Sequence, residues 1–160
     1  MPKKYSGFTL IELLVVIGIL GILLAIVLIA INPAAQFAQA NNTARTNDVN
    51  TILNAVHQYA ADHKGVLPTG IPATTAVEIK KVAGGADICG PLSPDYVSLF
   101  PVDPDTKYIP SVSNGVAVPD CTVDYITGYF IVKDAGGRIT VSAPGAETVR
   151  GVTPVIQVTR

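Results

Sequence analysis

At 160 residues the chain has room for one compact unit, and a second catalytic domain is not expected within it. Apolar residues make up 49% and charged residues only 14%, a balance that is low in charge for a soluble domain and places one segment in lipid. With 11 Lys+Arg against 12 Asp+Glu the formal charge is −1, which argues against a nucleic-acid binder.

Residues 1–7 are short and polar, with Lys3 and Lys4, and residues 8–31 follow as an apolar run interrupted only by Thr9 and Glu12. A helix over this run would reach roughly 36 Å, against a hydrocarbon core of about 30 Å. Basic residues stay on the cytoplasmic side of a first transmembrane segment, so the N-terminus is expected in the cytoplasm and everything after residue 31 outside it. An ordinary secretory signal carries its small-residue cleavage site after the apolar region. Here Ser6 and Gly7 precede it. An acidic side chain inside an apolar span costs about 3 kcal/mol at mid-helix and less near an end, so Glu12 needs a partner.

Gly7-Phe8-Thr9-Leu10-Ile11-Glu12-Leu13, with Lys3 and Lys4 upstream, resembles the processing motif of type IV prepilins and type II secretion pseudopilins. The resemblance implies cleavage after Gly7 by the membrane aspartic protease prepilin peptidase, and N-methylation of the new amine on Phe8. It further implies a homo-oligomeric helical filament raised by an inner-membrane assembly platform, with Phe8, Thr9 and Glu12 setting register: Glu12 would face the Phe8 amine of a neighbouring copy. Two alternatives stand beside the pilus subunit: a pseudopilin of a secretion or DNA-uptake machine, and an uncleaved, membrane-anchored extracytoplasmic binding domain.

Asn32-Pro33 interrupts the helix. A kink, a stop and restart, or an Asn32 N-cap with Pro33 in the first turn all fit. Residues 32–64 are expected to form a stalk helix. Val49, Ile52, Leu53, Val56, Tyr59 and Ala60 recur at helical steps as its apolar face. The preceding stretch, 34–48, is too polar for lipid and too weakly apolar for a monomer core, which suits packing on copies of itself. Gly65 and Pro68 should close the helix.

Residues 65–160 read as a β-rich extracytoplasmic head, giving an α+β fold: a long N-terminal helix packed against a small antiparallel sheet. Residues 75–82 read as a short helix or irregular loop. The clearest strands are 125–133 and 138–143, joined as a hairpin by Asp134-Ala135-Gly136-Gly137, with 155–159 a weaker strand. Tyr59-x-x-Asp62, Pro101-Val102-Asp103-Pro104 and the run from Gly137 to Val141 also resemble pilin-like heads.

Cys89 and Cys121 lie far apart and lack the close pairing of a zinc or thioredoxin-like site. A disulfide outside the cytoplasm fits better, worth about 4 kcal/mol in the chain-entropy model, with two buried thiols as the alternative. Asp103, Asp105, Asp120 and Asp124 form an acidic loop group. Some pseudopilins bind calcium through such carboxylates, but the spacing matches no calcium-loop template, and turn-forming Asp is the plainer reading. His57 and His63, six apart on a helix, cannot chelate one metal as an i, i+4 pair would. Ser93, Ser98, Ser111 and Ser113 sit in no nucleophile motif. No catalytic residue, metal centre or cofactor is expected.

Overall fold

A computed structural model describes residues 7–105 and 117–160. Residues 1–6 of the expected leader, with Lys3 and Lys4, and Ser111 and Ser113 lie outside the described residues. The chain divides within one helix, between Phe37 and Ala38, into two compact units.

The first unit holds helix α1 (Leu10–Ile31). Leu10–Ile29 is long and apolar enough to cross a membrane, with a mean hydropathy of 3.1, and none of that stretch is buried. Asn32 ends α1 in the left-handed region at φ 47° and also starts helix α2 (Pro33–Asp62), since its Oδ1 and its carbonyl both accept from the Ala35 N–H. The chain therefore stops and restarts here. Pro33, which has no N–H to lose, occupies the first helical position.

The second unit packs α2 onto a four-stranded antiparallel sheet. Its strands are β1 (Val77–Lys80), β4 (Ile126–Lys133), β5 (Ile139–Ala143) and β6 (Ile156–Thr159), in the order β1-β4-β5-β6. A short helix α3 (Cys89–Leu92) and a two-stranded ladder of β2 (Phe100–Pro101) with β3 (Ala117–Val118) complete it. Val49, Ile52, Leu53 and Val56 are buried as the periodicity requires, and Ala55 joins them. They share one core with Ile79, Tyr129, Ile131, Ile139 and Val141. The α+β architecture is the one expected.

Two expectations need correction. Residues 75–82 contain strand β1, because Val77-Glu78-Ile79-Lys80 alternates and puts Ile79 wholly in the core. The polar stretch before Val49 is not wholly without a place in the monomer: it turns one face into the second unit while the rest stays exposed. Ala38, Asn42 and Arg45 are buried within the second unit, Arg45 completely, and polar partners from the head satisfy Asn42 and Arg45.

The helix closes as expected: Gly65 adopts φ 87°, and its N–H reaches the Ala60 carbonyl. The β4–β5 hairpin turns on Gly137 at φ 84°, with Asp134 Oδ1 accepting from the Arg138 N–H.

Candidate functional site

Two polar sites emerge, one in each unit. The first is the start of α1. Thr9 is extended and caps the helix: its Oγ1 accepts from the Glu12 N–H at 3.3 Å. Glu12 Oε2 accepts in return from the Thr9 N–H at 2.9 Å and from Thr9 Oγ1 at 2.8 Å. The two residues thereby satisfy helix-start donors that would otherwise lie bare in an apolar setting. Thr9 and Glu12 were each read from the sequence as parts of a register device, whereas their mutual bonding was not. The Thr-x-x-Glu spacing could have shown it. Phe8, just before the cap, is 86% exposed.

From Leu10 to Ile31 every residue except Glu12 is apolar. Among the described residues Glu12 makes no ion pair, so its only partners are those of Thr9.

The second site lies where α2 meets the head. Arg45 sends Nε to Asp103 Oδ2 and Nη2 to Asp103 Oδ1, both at 2.8 Å, and Nη1 to Glu147 Oε1 at 3.0 Å and Asn42 Oδ1 at 3.1 Å. Burial opposes the charge, yet the hydrogen bonds that Arg45 donates to Asp103 and Glu147 outweigh it and hold the guanidinium firmly protonated. Asn42 closes the ring, accepting from the Glu147 N–H at 2.8 Å and donating to the Glu147 carbonyl at 2.7 Å.

A bulge in β4 sets this geometry. The β1–β4 register shifts between Glu78 and Lys80, and Gly128 adopts φ 77° opposite the shift. The displaced Thr127 accepts from the Asp103 N–H through its carbonyl at 2.8 Å, and its hydroxyl donates to the Ile79 carbonyl. Tyr129 then points inward and donates to Asp48 Oδ2 at 2.7 Å. Burial raises the Asp48 carboxyl, against the Tyr129 hydrogen bond and with help from the Asp103 charge. Burial first, then the Asp48 bond, drives the Tyr129 hydroxyl far above its ordinary value.

Cys89 and Cys121 are joined in a disulfide. Lys81 Nζ donates to the Cys121 and Thr122 carbonyls at 2.9 and 2.8 Å, and Tyr125 Oη accepts from the Cys89 N–H and donates to Asp87.

Asp103 is withdrawn from the calcium set, because Arg45 takes both its oxygens. Asp105 donates its N–H to Asp103 Oδ1, and Asp120 Oδ1 accepts from the Thr122 N–H and hydroxyl. Asp124 is exposed. Among the described residues no three His, Cys, Asp or Glu side chains gather as a metal ion would need. His63 stacks on Tyr59, and His57 is half-buried.

Residues 2–28 match the family model described as the prokaryotic N-terminal methylation motif, which is the prepilin signature of type IV pilins and pseudopilins. No curated protein and no solved structure matches the chain. The motif and the exposed apolar helix fit a membrane-anchored protein, and the motif implies processing by prepilin peptidase.

Proposed function

We propose that the chain is a structural subunit of a type IV pilus-like filament, working by assembly rather than by catalysis and needing no cofactor. It is inserted with its N-terminus in the cytoplasm and cut between Gly7 and Phe8 by prepilin peptidase. Phe8 is then N-methylated, and an assembly platform in the inner membrane draws the mature chain into a homo-oligomeric helical fibre. Packed copies of α1 form the fibre core and the heads its surface.

The observation that supports this reading is the state of Glu12. Its carboxylate sits in the first turn of an otherwise apolar helix, on the fifth residue after the proposed cleavage point, with a cap for company and, among the described residues, no cation. Cleavage would supply a cation, the Phe8 amine, at the mouth of the same helix in every copy. Side by side in low dielectric, one copy's amine and another's carboxylate neutralise each other, and breaking such a pair costs about 3–5 kcal/mol.

Intact-mass and N-terminal analysis of the membrane form tests the processing step: the expected start is Phe8 carrying one added methyl group. An intact Met1 in cells that possess prepilin peptidase favours the uncleaved anchored domain instead. Electron microscopy of sheared surface material, with this chain identified in the fibres, separates the pilus subunit from the pseudopilin.

A further inference from the structure

The two edges of the four-stranded sheet are finished differently. On the β1 edge the Glu78 carbonyl accepts from the Ala86 N–H at 2.9 Å, so the following loop covers the strand. Glu78 and Lys80 pair at 3.0 Å, and the register shift lies beside them. Charges and a covering loop are devices that keep a sheet edge from pairing with another chain.

Among the described residues the β6 edge has neither. Ile139 and Arg160 exchange both backbone hydrogen bonds, and the ladder continues with Thr140 opposite Thr159, Val141 opposite Val158, Ser142 opposite Gln157 and Ala143 opposite Ile156. Bonded and non-bonded pairs alternate in an antiparallel ladder. Arg160, Val158 and Ile156 therefore turn their backbone groups toward β5, while Thr159, Gln157 and Val155 turn theirs outward. All three are exposed, Val155 at 84%. From Val152 to Thr159 no residue is charged, and four of the five positions 155–159 are β-branched.

We propose that this edge is an interface for a second copy of the chain, β6 pairing antiparallel with β6 about a two-fold axis at Gln157. The register is self-complementary. With Gln157 opposite Gln157, Val155 falls opposite Thr159 and Thr159 opposite Val155, so every outward-facing residue meets another outward-facing residue. Each bonded pair exchanges two backbone hydrogen bonds, about six in all. Ile156 and Val158 meet on the core face and extend it across the join, and no like charges are brought together. A two-fold contact of this kind closes on itself. It is therefore independent of the proposed filament and holds whether or not the chain polymerises.

Cysteine cross-linking in the full chain, in its membrane, reads the register directly. A bonded pair has its Cα atoms about 5.5 Å apart, within disulfide reach. Gln157→Cys alone should form a disulfide-linked dimer on oxidation, and a mixture of Val155→Cys and Thr159→Cys chains should cross-link with each other. Thr159→Cys alone should not, because the two copies of that position lie about 13 Å apart along the strands. Val123→Cys, 53% exposed and away from the edge, measures chance collision. The proposal is overturned if Gln157→Cys gives no more dimer than Val123→Cys, or if Thr159→Cys alone links as readily as Gln157→Cys.

Discussion

Arg45 and Asp103, separated by 58 positions in the chain, meet as a two-pronged ion pair with neither side chain exposed to solvent. A buried charge is tolerable only when paired and fully hydrogen-bonded, and here Glu147 and Asn42 complete the shell. The pair ties the polar part of α2 to a loop of the head. Removing one member leaves the other charged in a dry site.

Arg45→Ala should therefore destabilise the protein by about 3–5 kcal/mol, measured by denaturant unfolding of the full chain in detergent. Arg45→Met combined with Asp103→Leu should cost less than either single change, since it removes both charges together. Equal or greater loss in the double variant would mean that the pair contributes net attraction rather than mutual relief.

Tyr129 and Tyr125 yield a pH prediction. Burial, then hydrogen bonds to Asp48 and Asp87 respectively, raises both hydroxyls above the ordinary tyrosine range. A group whose folded value exceeds its unfolded one lends stability that is full below the unfolded value, about 10, and lost as pH rises past it. Alkaline unfolding should set in above about pH 10, with these two phenols ionising together with the loss of ellipticity, followed at 295 nm. The Tyr125→Phe/Tyr129→Phe variant should lack that shared step. Tyr129→Phe alone strips a half-buried carboxylate of its donor and should cost about 1.5–3 kcal/mol.

What was readable in advance follows how local each signal is. The β4–β5 hairpin and the end of α2 rest on residues close in sequence: β-branched alternation, the Asp134 to Gly137 turn, and Gly65 at positive φ. Strand β1 escaped because it is four residues long and two of them are charged, so its alternation reads as loop. Arg45 escaped for a different reason: a lone Arg on a polar helix announces burial only beside its carboxylate, and that carboxylate is brought in by a bulge at Gly128 no local pattern marks. Asp103 stood out within Pro101-Val102-Asp103-Pro104, but as a loop acid rather than as the counter-ion of a helix. At the other end of the chain, the family resemblance of the motif from Gly7 to Leu13 was legible, since such a signature is written in contiguous residues, and the match over residues 2–28 bears the resemblance out.

The Cys89–Cys121 bond closes a loop with a sequence separation of 32. In the chain-entropy model its removal costs about 4 kcal/mol. Cys89→Ser/Cys121→Ser should lower the unfolding midpoint of the full chain accordingly, and reductant should do the same to the native protein but not to the variant. Lys81→Met, which strips the Cys121 and Thr122 carbonyls of their donor, should cost less, because those carbonyls regain water.

Glu12 caps the start of α1 and, in the proposed function, also neutralises the amine of another copy; isosteric change tells the two apart. The amide of Glu12→Gln still reaches back to the Thr9 N–H, since Gln serves the capping box as Glu does, but it carries no charge. Glu12→Ala loses both. Loss of the cap alone, as in Thr9→Ala, costs about 0.5–2 kcal/mol of local helix stability, readable as faster hydrogen exchange at Leu10 to Leu13. If charge neutralisation between copies is what assembly uses, Glu12→Gln and Glu12→Ala should both insert and be cleaved normally yet yield few fibres, while Thr9→Ala should stay near the native yield. Native yield from Glu12→Gln with loss in Thr9→Ala would instead make the helix start, not the charge, the element on which assembly depends.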